Sequence, residues 1–144
     1  MKRSLVLAVL TFTSLILVAG NVAAQRPWYR GNVRDIIRDL ETDTDHFKSS
    51  LDHALDRSRL NGTRAEDEIN DYVKKFEAAT DRLRDRAEDR QAAPGLTREV
   101  LNRGRSIDVF MRRNRLGPDA ETDWARVRND LNRLANAYNV NWRW

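Results

Sequence analysis

His46 and His53 are the only imidazoles in the chain, so any proton transfer by histidine near neutral pH has to begin with them. On one helix their seven-residue spacing puts them on a common face but about 10.5 Å apart along the axis, too far to share a metal ion. Asp43 and His46 form an acidic-x-x-His pair. Di-metal carboxylate bundles need two such pairs and further inward glutamates, and no second pair exists here. Glu41, Asp43 and Asp45 alternate like the opening of a calcium loop. That frame places His46 where the loop needs glycine and Asp52 where it needs a bidentate glutamate. The three acids belong instead to a solvated helix face.

With no cysteine, a thiol nucleophile, a disulfide and haem attachment through Cys-x-x-Cys-His are all excluded. A serine nucleophile would have to recruit His46 or His53, and no glycine-rich elbow surrounds any serine. Met111 fits a core better than an axial ligand position. The 22 acidic side chains include no pair in a context that sets one as acid and the other as base. The expectation is therefore a non-enzymatic protein with no catalytic residue, no cofactor and no metal site.

Binding chemistry has two candidates. Arg98, Arg105 and Arg112 repeat every seven residues, opposite Val100 and Ile107, and form an outward basic stripe that could hold an anion. Around them Arg103, Arg113 and Arg115 add charge against only Glu99 and Asp108, whereas the first helix is acidic. The simplest account is that the two helices neighbour and compensate each other. The alternative is an anionic partner such as an envelope phosphate. The second candidate is apolar: Leu51, Leu55, Leu60 and Ile69 flank a sharp turn and would form an interaction tip if left uncovered.

The elements that position these residues follow from periodicity. Apolar residues from Val33 to Leu55 recur in steps of three and four, with Thr44 filling one step, and Ile69 to Ala87 repeat the pattern. Between them Leu60-Asn61-Gly62-Thr63 reverses the chain, and Thr63 with Glu66 spells a capping box. Ala92-Ala93-Pro94-Gly95 breaks the second helix, Thr97 is the expected N-cap of the third, and Leu116-Gly117-Pro118-Asp119 leads into the fourth. The spacing predicts helices over about 33–59, 64–91, 97–115 and 119–138, followed by an aromatic tail at 139–144.

These elements make an all-α, up-down-up-down four-helix bundle with a long first hairpin and a shorter second one. At 1.5 Å per residue the first pair should overhang the second by about 12 Å at the Asn61-Gly62 tip. Trp28, Tyr29, Tyr138, Trp142 and Trp144 would close the opposite end.

Lys2 and Arg3 precede an uncharged run, Leu5 to Ala19, and Val22-Ala23-Ala24 supplies small residues before Gln25. This is the pattern of a secretory signal peptide over 1–24, cleaved to leave a single domain over 25–144, periplasmic or secreted. The run is shorter than the ~20 residues a membrane-spanning helix needs, and no span is expected after cleavage. Removing Lys2 and Arg3 leaves 24 basic against 22 acidic side chains. That near balance and the export signal argue against nucleic acid as a ligand. The remaining partners are a protein, a second copy of the chain, or an anionic envelope component.

Two stretches carry a resemblance: Ser50-Leu51-Asp52-His53-Ala54-Leu55-Asp56-Arg57-Ser58 leading into Asn61-Gly62-Thr63, and Asp123-Trp124 through Leu131, Leu134 and Ala137-Tyr138-Asn139-Val140 with Trp142. Together they resemble uncharacterised exported helical proteins of soil bacteria, over most of the mature chain. The resemblance implies export and helicity, and brings no activity or ligand.

Overall fold

The computed structural model describes residues 28–144, with side chains from Val33 onward. The signal-peptide segment and the side chains of Trp28 and Tyr29 lie outside the described residues. Four helices account for the fold: α1 (Trp28–Asp56), α2 (Arg64–Asp85), α3 (Ala93–Asn114) and α4 (Pro118–Ala137). No strand occurs among the described residues.

The apolar stripes face one core. Val33, Ile36, Ile37, Leu40, Phe47, Leu51 and Leu55 of α1 are buried against Ile69, Phe76 and Leu83 of α2, Val100 and Ile107 of α3, and Trp124, Leu131 and Leu134 of α4. Two threonines take apolar steps because each hydroxyl donates back to its own helix, Thr44 to the Leu40 carbonyl (2.7 Å) and Thr80 to that of Phe76 (3.1 Å). α1 packs mainly along α4 and α2 mainly along α3, with thinner α1–α2 and α3–α4 seams. Each helix therefore touches its two neighbours in chain order, which is the up-down-up-down ring.

Cross-helix ion pairs mark the register: Lys48–Glu77 and Arg84–Glu41 between α1 and α2 (2.7 Å each), Arg82–Glu99 between α2 and α3 (2.5 Å), and Arg133–Asp39 between α4 and α1 (3.0 Å). Half-exposed pairs of this kind contribute roughly 0–1 kcal/mol each. α1 and α3 lie diagonally across the ring, so the acidic first helix does not compensate the basic third. The arginines of α3 pair instead within their own helix, Arg112 with Asp108 and Arg103 with Glu99.

Helix ends depart from the sequence expectation in an instructive way. α2 stops at Asp85, six residues early, and α3 begins at Ala93, four residues early. The Ala-Ala-Pro-Gly stretch is not a break but the opening turn of α3. A proline is tolerated there because its missing N–H would have no intrahelical partner. α3 takes Ala92, not Thr97, as its N-cap and has no side-chain cap there; Asp89 instead orders the turn ahead of it, its Oδ1 accepting the N–H groups of Gln91 (2.9 Å) and Ala92 (3.1 Å). Thr97 is buried inside α3.

At the other turn Gly62 takes a left-handed φ of 70°. Thr63 occupies the N-cap position, but its hydroxyl donates to the Leu60 carbonyl (2.6 Å). Glu66 reaches back one residue further than a capping box would, accepting the Gly62 N–H at 2.6 Å.

These shifts remove the overhang. α2 and α3 both have 22 residues, so the first hairpin is longer only through the 29 residues of α1. Arg34 already pairs with Glu88 in the α2–α3 connection, so the surplus length of α1 lies at the end away from Asn61-Gly62. At the tip, Leu116 in the α3–α4 turn is buried alongside Leu51, Leu55 and Ile69, and Leu60 is half-buried. The expected apolar tip is packed rather than presented.

Candidate functional site in the groove between α3 and α4

The tail does not close the base of the bundle. α4 ends in a Schellman turn, with Asn139 at φ 53°. The N–H of Val140 donates to the Ala135 carbonyl (2.8 Å) and that of Asn139 to the Asn136 carbonyl (3.1 Å). Val140 is buried beneath this turn, and the chain doubles back along α4. Extended backbone sends alternate side chains to one side, so Trp142 and Trp144 face the bundle together.

Trp144 sits between α3 and α4. Its indole N–H donates to Asn132 Oδ1 (2.8 Å), and its ring meets Trp124 edge-on at 6.4 Å between centroids. On α3 it reaches Gly104, where a Cβ would stand at an ordinary 3.5 Å from Trp144 Cη2 but only 2.8 Å from Leu131 Cδ1, so what the glycine admits is the close approach of Leu131 of α4. Each indole also carries a guanidinium, Arg105 at 4.6 Å over Trp142 and Arg128 at 5.2 Å over Trp144. Arg105 further donates to the Arg143 carbonyl at 2.6 Å. The groove thus reads two aromatic rings and one backbone carbonyl of an extended segment.

Beneath the tail lies Asp108, with 1% of its surface exposed. Its Oδ1 accepts the Trp124 indole N–H at 3.1 Å, and Arg128 Nε stands 3.5 Å from the same oxygen. Arg112 lies 2.8 Å from Oδ2 as an ion pair, without the alignment of a hydrogen bond. A buried carboxylate needs such partners, since an unpaired charge there would cost several kcal/mol, on the order given for buried ions. Asp108 Oδ2 and Arg128 Nε are held by ion pairs rather than by aligned hydrogen bonds, and Trp142 Nε1, like Thr97 Oγ1 and Asp130 Oδ2 elsewhere in the bundle, is buried without a hydrogen bond.

No protein-family model, curated protein or solved structure matches the chain. The chemistry of the groove is therefore read from its own residues.

A second buried acid lies on the α1–α4 seam. Asp130 is held by Arg133 at 2.6 Å, and Arg133 also reaches Asp39 of α1. Burial pushes the Asp130 carboxyl up; Arg133 opposes the rise and the charge of Asp43 adds to it.

The arginine stripe is divided by this arrangement. Arg105 is engaged by the tail and Arg112 by Asp108, which leaves Arg98 exposed with no acidic partner among the described residues. His46 and His53 are both exposed on α1. No group of three or more His, Asp and Glu able to hold a metal occurs among the described residues, and none of their helices is long and apolar enough to cross a membrane.

Sequence reasoning missed the groove, although two signals were present. Gly104 stands on the apolar stripe of α3, where a missing side chain admits a close neighbour. The alternation of Val140, Trp142 and Trp144 is the period of an extended segment buried on one side.

Proposed function

We propose that this is a non-enzymatic exported protein that acts by binding protein, and that the α3–α4 groove is its recognition site. One observation supports this above the others: the groove already holds an extended peptide, through paired tryptophan–arginine contacts and a hydrogen bond to a backbone carbonyl. Rigid aromatic anchors with arginine partners are the residue types that dominate protein-binding hot spots. Export rests on the charged, apolar and small-residue order of residues 2–24 and agrees with the stated resemblance. An anionic envelope ligand on the Arg98/Arg105/Arg112 stripe is less well supported, because two of its three guanidiniums already have partners.

The test is a titration of a peptide spanning residues 138–144 into the full chain carrying Trp142→Ala and Trp144→Ala, read by the Trp124 indole resonance. Saturable binding is expected, weakened at least fivefold by Arg105→Ala in the receiving chain, a loss in the range of one exposed cation–π contact and one hydrogen bond. No saturation at about 1 mM peptide, the weak limit of useful recognition, would count against the reading.

A further inference from the structure

We infer that Asp130 of α4 and Asp43 of α1 share one proton, and that this proton latches the α1–α4 seam. The inference is independent of the α3–α4 groove and of what binds there.

Helix register sets the two acids opposite each other. α1 and α4 run antiparallel, with Arg133 reaching Asp39 at 3.0 Å and the Trp124 ring 5.1 Å from that of Phe47. One turn forward from Asp39 is Asp43, and one turn back from Arg133 is Asp130, so these two stand level as well. A cation–acid pair at one level is followed by acid against acid at the next. Asp43 lies within hydrogen-bonding reach of the Asp130 carboxyl.

Asp130 is 3% exposed. Its Oδ1 is taken by Arg133 at 2.6 Å, whereas Oδ2 is buried with neither a hydrogen-bond donor nor an ion pair. A buried carboxylate oxygen that faces a second carboxylate lacks the one thing both need, a hydrogen between them. With a proton on Oδ2, Asp130 donates to Asp43 and the pair carries a single negative charge beside Arg133. A metal ion fits less well, because the guanidinium already supplies positive charge and no metal-holding group occurs among the described residues.

The surroundings favour keeping that proton on Asp130. Burial pushes its carboxyl up; Arg133 opposes the rise and Asp43 adds to it. Other charged groups stand outside the pair. His46 of α1 is exposed one turn beyond Asp43, and Arg126 of α4 is held by Asp123 at 2.9 Å. α3 meets the other face of α4, where Arg128 faces Asp108, and α2 lies diagonally across the ring.

Connectivity makes this seam the one to control. The other three are joined by turns of the chain, whereas α1 and α4 are held together by side chains alone. Loss of the proton leaves two like charges near the middle of that seam, so the ring loosens there first. The contribution of the latch is complete below the ordinary carboxyl value of 3.8 and is lost as pH rises through the raised one.

The experiment is a carbon-13 NMR titration of the side-chain carboxyls in the full chain and in Asp43→Asn, with amide exchange measured on the same samples. Asp43 is half-buried, and its amide isostere leaves the core in place. Asp130 should titrate above the ordinary value in the unaltered chain. In Asp43→Asn its midpoint should fall by about one pH unit or more, the scale of a contacting like charge removed. Amide exchange in α1 and α4, corrected for its intrinsic pH dependence, should quicken about threefold or more relative to α2 and α3 as pH passes that midpoint. Asp43→Asn should abolish the difference. An Asp130 midpoint that ignores Asp43→Asn would overturn the shared proton and leave burial as the cause of its rise. A midpoint that moves while all four helices quicken together would overturn the latch.

Discussion

Two buried carboxylates, Asp108 and Asp130, show what single residues contribute and how differently. Asp108 accepts one hydrogen bond from the Trp124 indole and ion-pairs with two guanidiniums, so Asp108→Ala strands the Trp124 N–H. Arg112 and Arg128 keep 58% and 38% of their side-chain surface exposed and can turn to water. That exposure reduces the penalty below the value for a fully buried pair, to about 2 kcal/mol in a urea denaturation. Asp130 has the opposite sign. Its carboxyl is pushed up from the ordinary 3.8, mainly by burial, with Arg133 opposing and Asp43 assisting. Through that window the folded state binds more protons than the unfolded one, so this group's contribution to stability falls as pH rises. Asp130→Asn should flatten that fall and raise the melting midpoint at pH 7 by about 2–4 °C, with Asp39 still holding Arg133. Neither role was legible in the sequence. A lone Asp beside an apolar stripe looks the same whether it faces solvent or a partner helix.

At the scale of elements, the stripes from Val33 to Leu55 and from Trp124 to Leu134 were readable because three-and-four spacing survives any detail of packing. The ends were not, because they depend on which side chain reaches which backbone group. Ala-Ala-Pro-Gly has the composition of a break and serves as a helix start once Asp89 accepts two N–H groups ahead of it. Those bonds hold the Asp89 carboxyl below its ordinary value. The stabilisation is therefore present above the usual carboxylate range and is lost as pH falls through the lowered value. Asp89→Ala should lower the melting midpoint at neutral pH and make little difference in strong acid, as thermal scans across pH would show. A similar one-residue detail, Glu66 bonding to Gly62 rather than to Thr63, accompanies a tip whose Leu51, Leu55 and Ile69 share a buried core with Leu116 of the α3–α4 turn.

For the whole molecule, the architecture follows from four amphipathic helices with short connections, and the charge pattern follows from their order in the ring. Acidic α1 and basic α3 are diagonal, so acids of α1 pair with α2 and α4 while Arg103 and Arg112 of α3 pair within their own helix. What connectivity alone could not reveal is the path of the last residues, since a left-handed Asn139 turns the aromatic tail back and Trp144 settles between α3 and α4 on Asn132 and Trp124. Trp144 is half-buried, so Trp144→Ala should cost about 2 kcal/mol, less than the 3–5 of a fully buried tryptophan, and should loosen the α3–α4 seam more than the α1–α4 seam in amide exchange. The groove's role in binding depends on its being filled by residues 141–144. The most direct test is the proton NMR spectrum of the full chain at the indoles of Trp124 and Trp144. Slow exchange of the Trp144 indole N–H and cross-relaxation between the two rings are the predicted result. A Trp144 indole that exchanges freely and shows no cross-relaxation to Trp124 would contradict it.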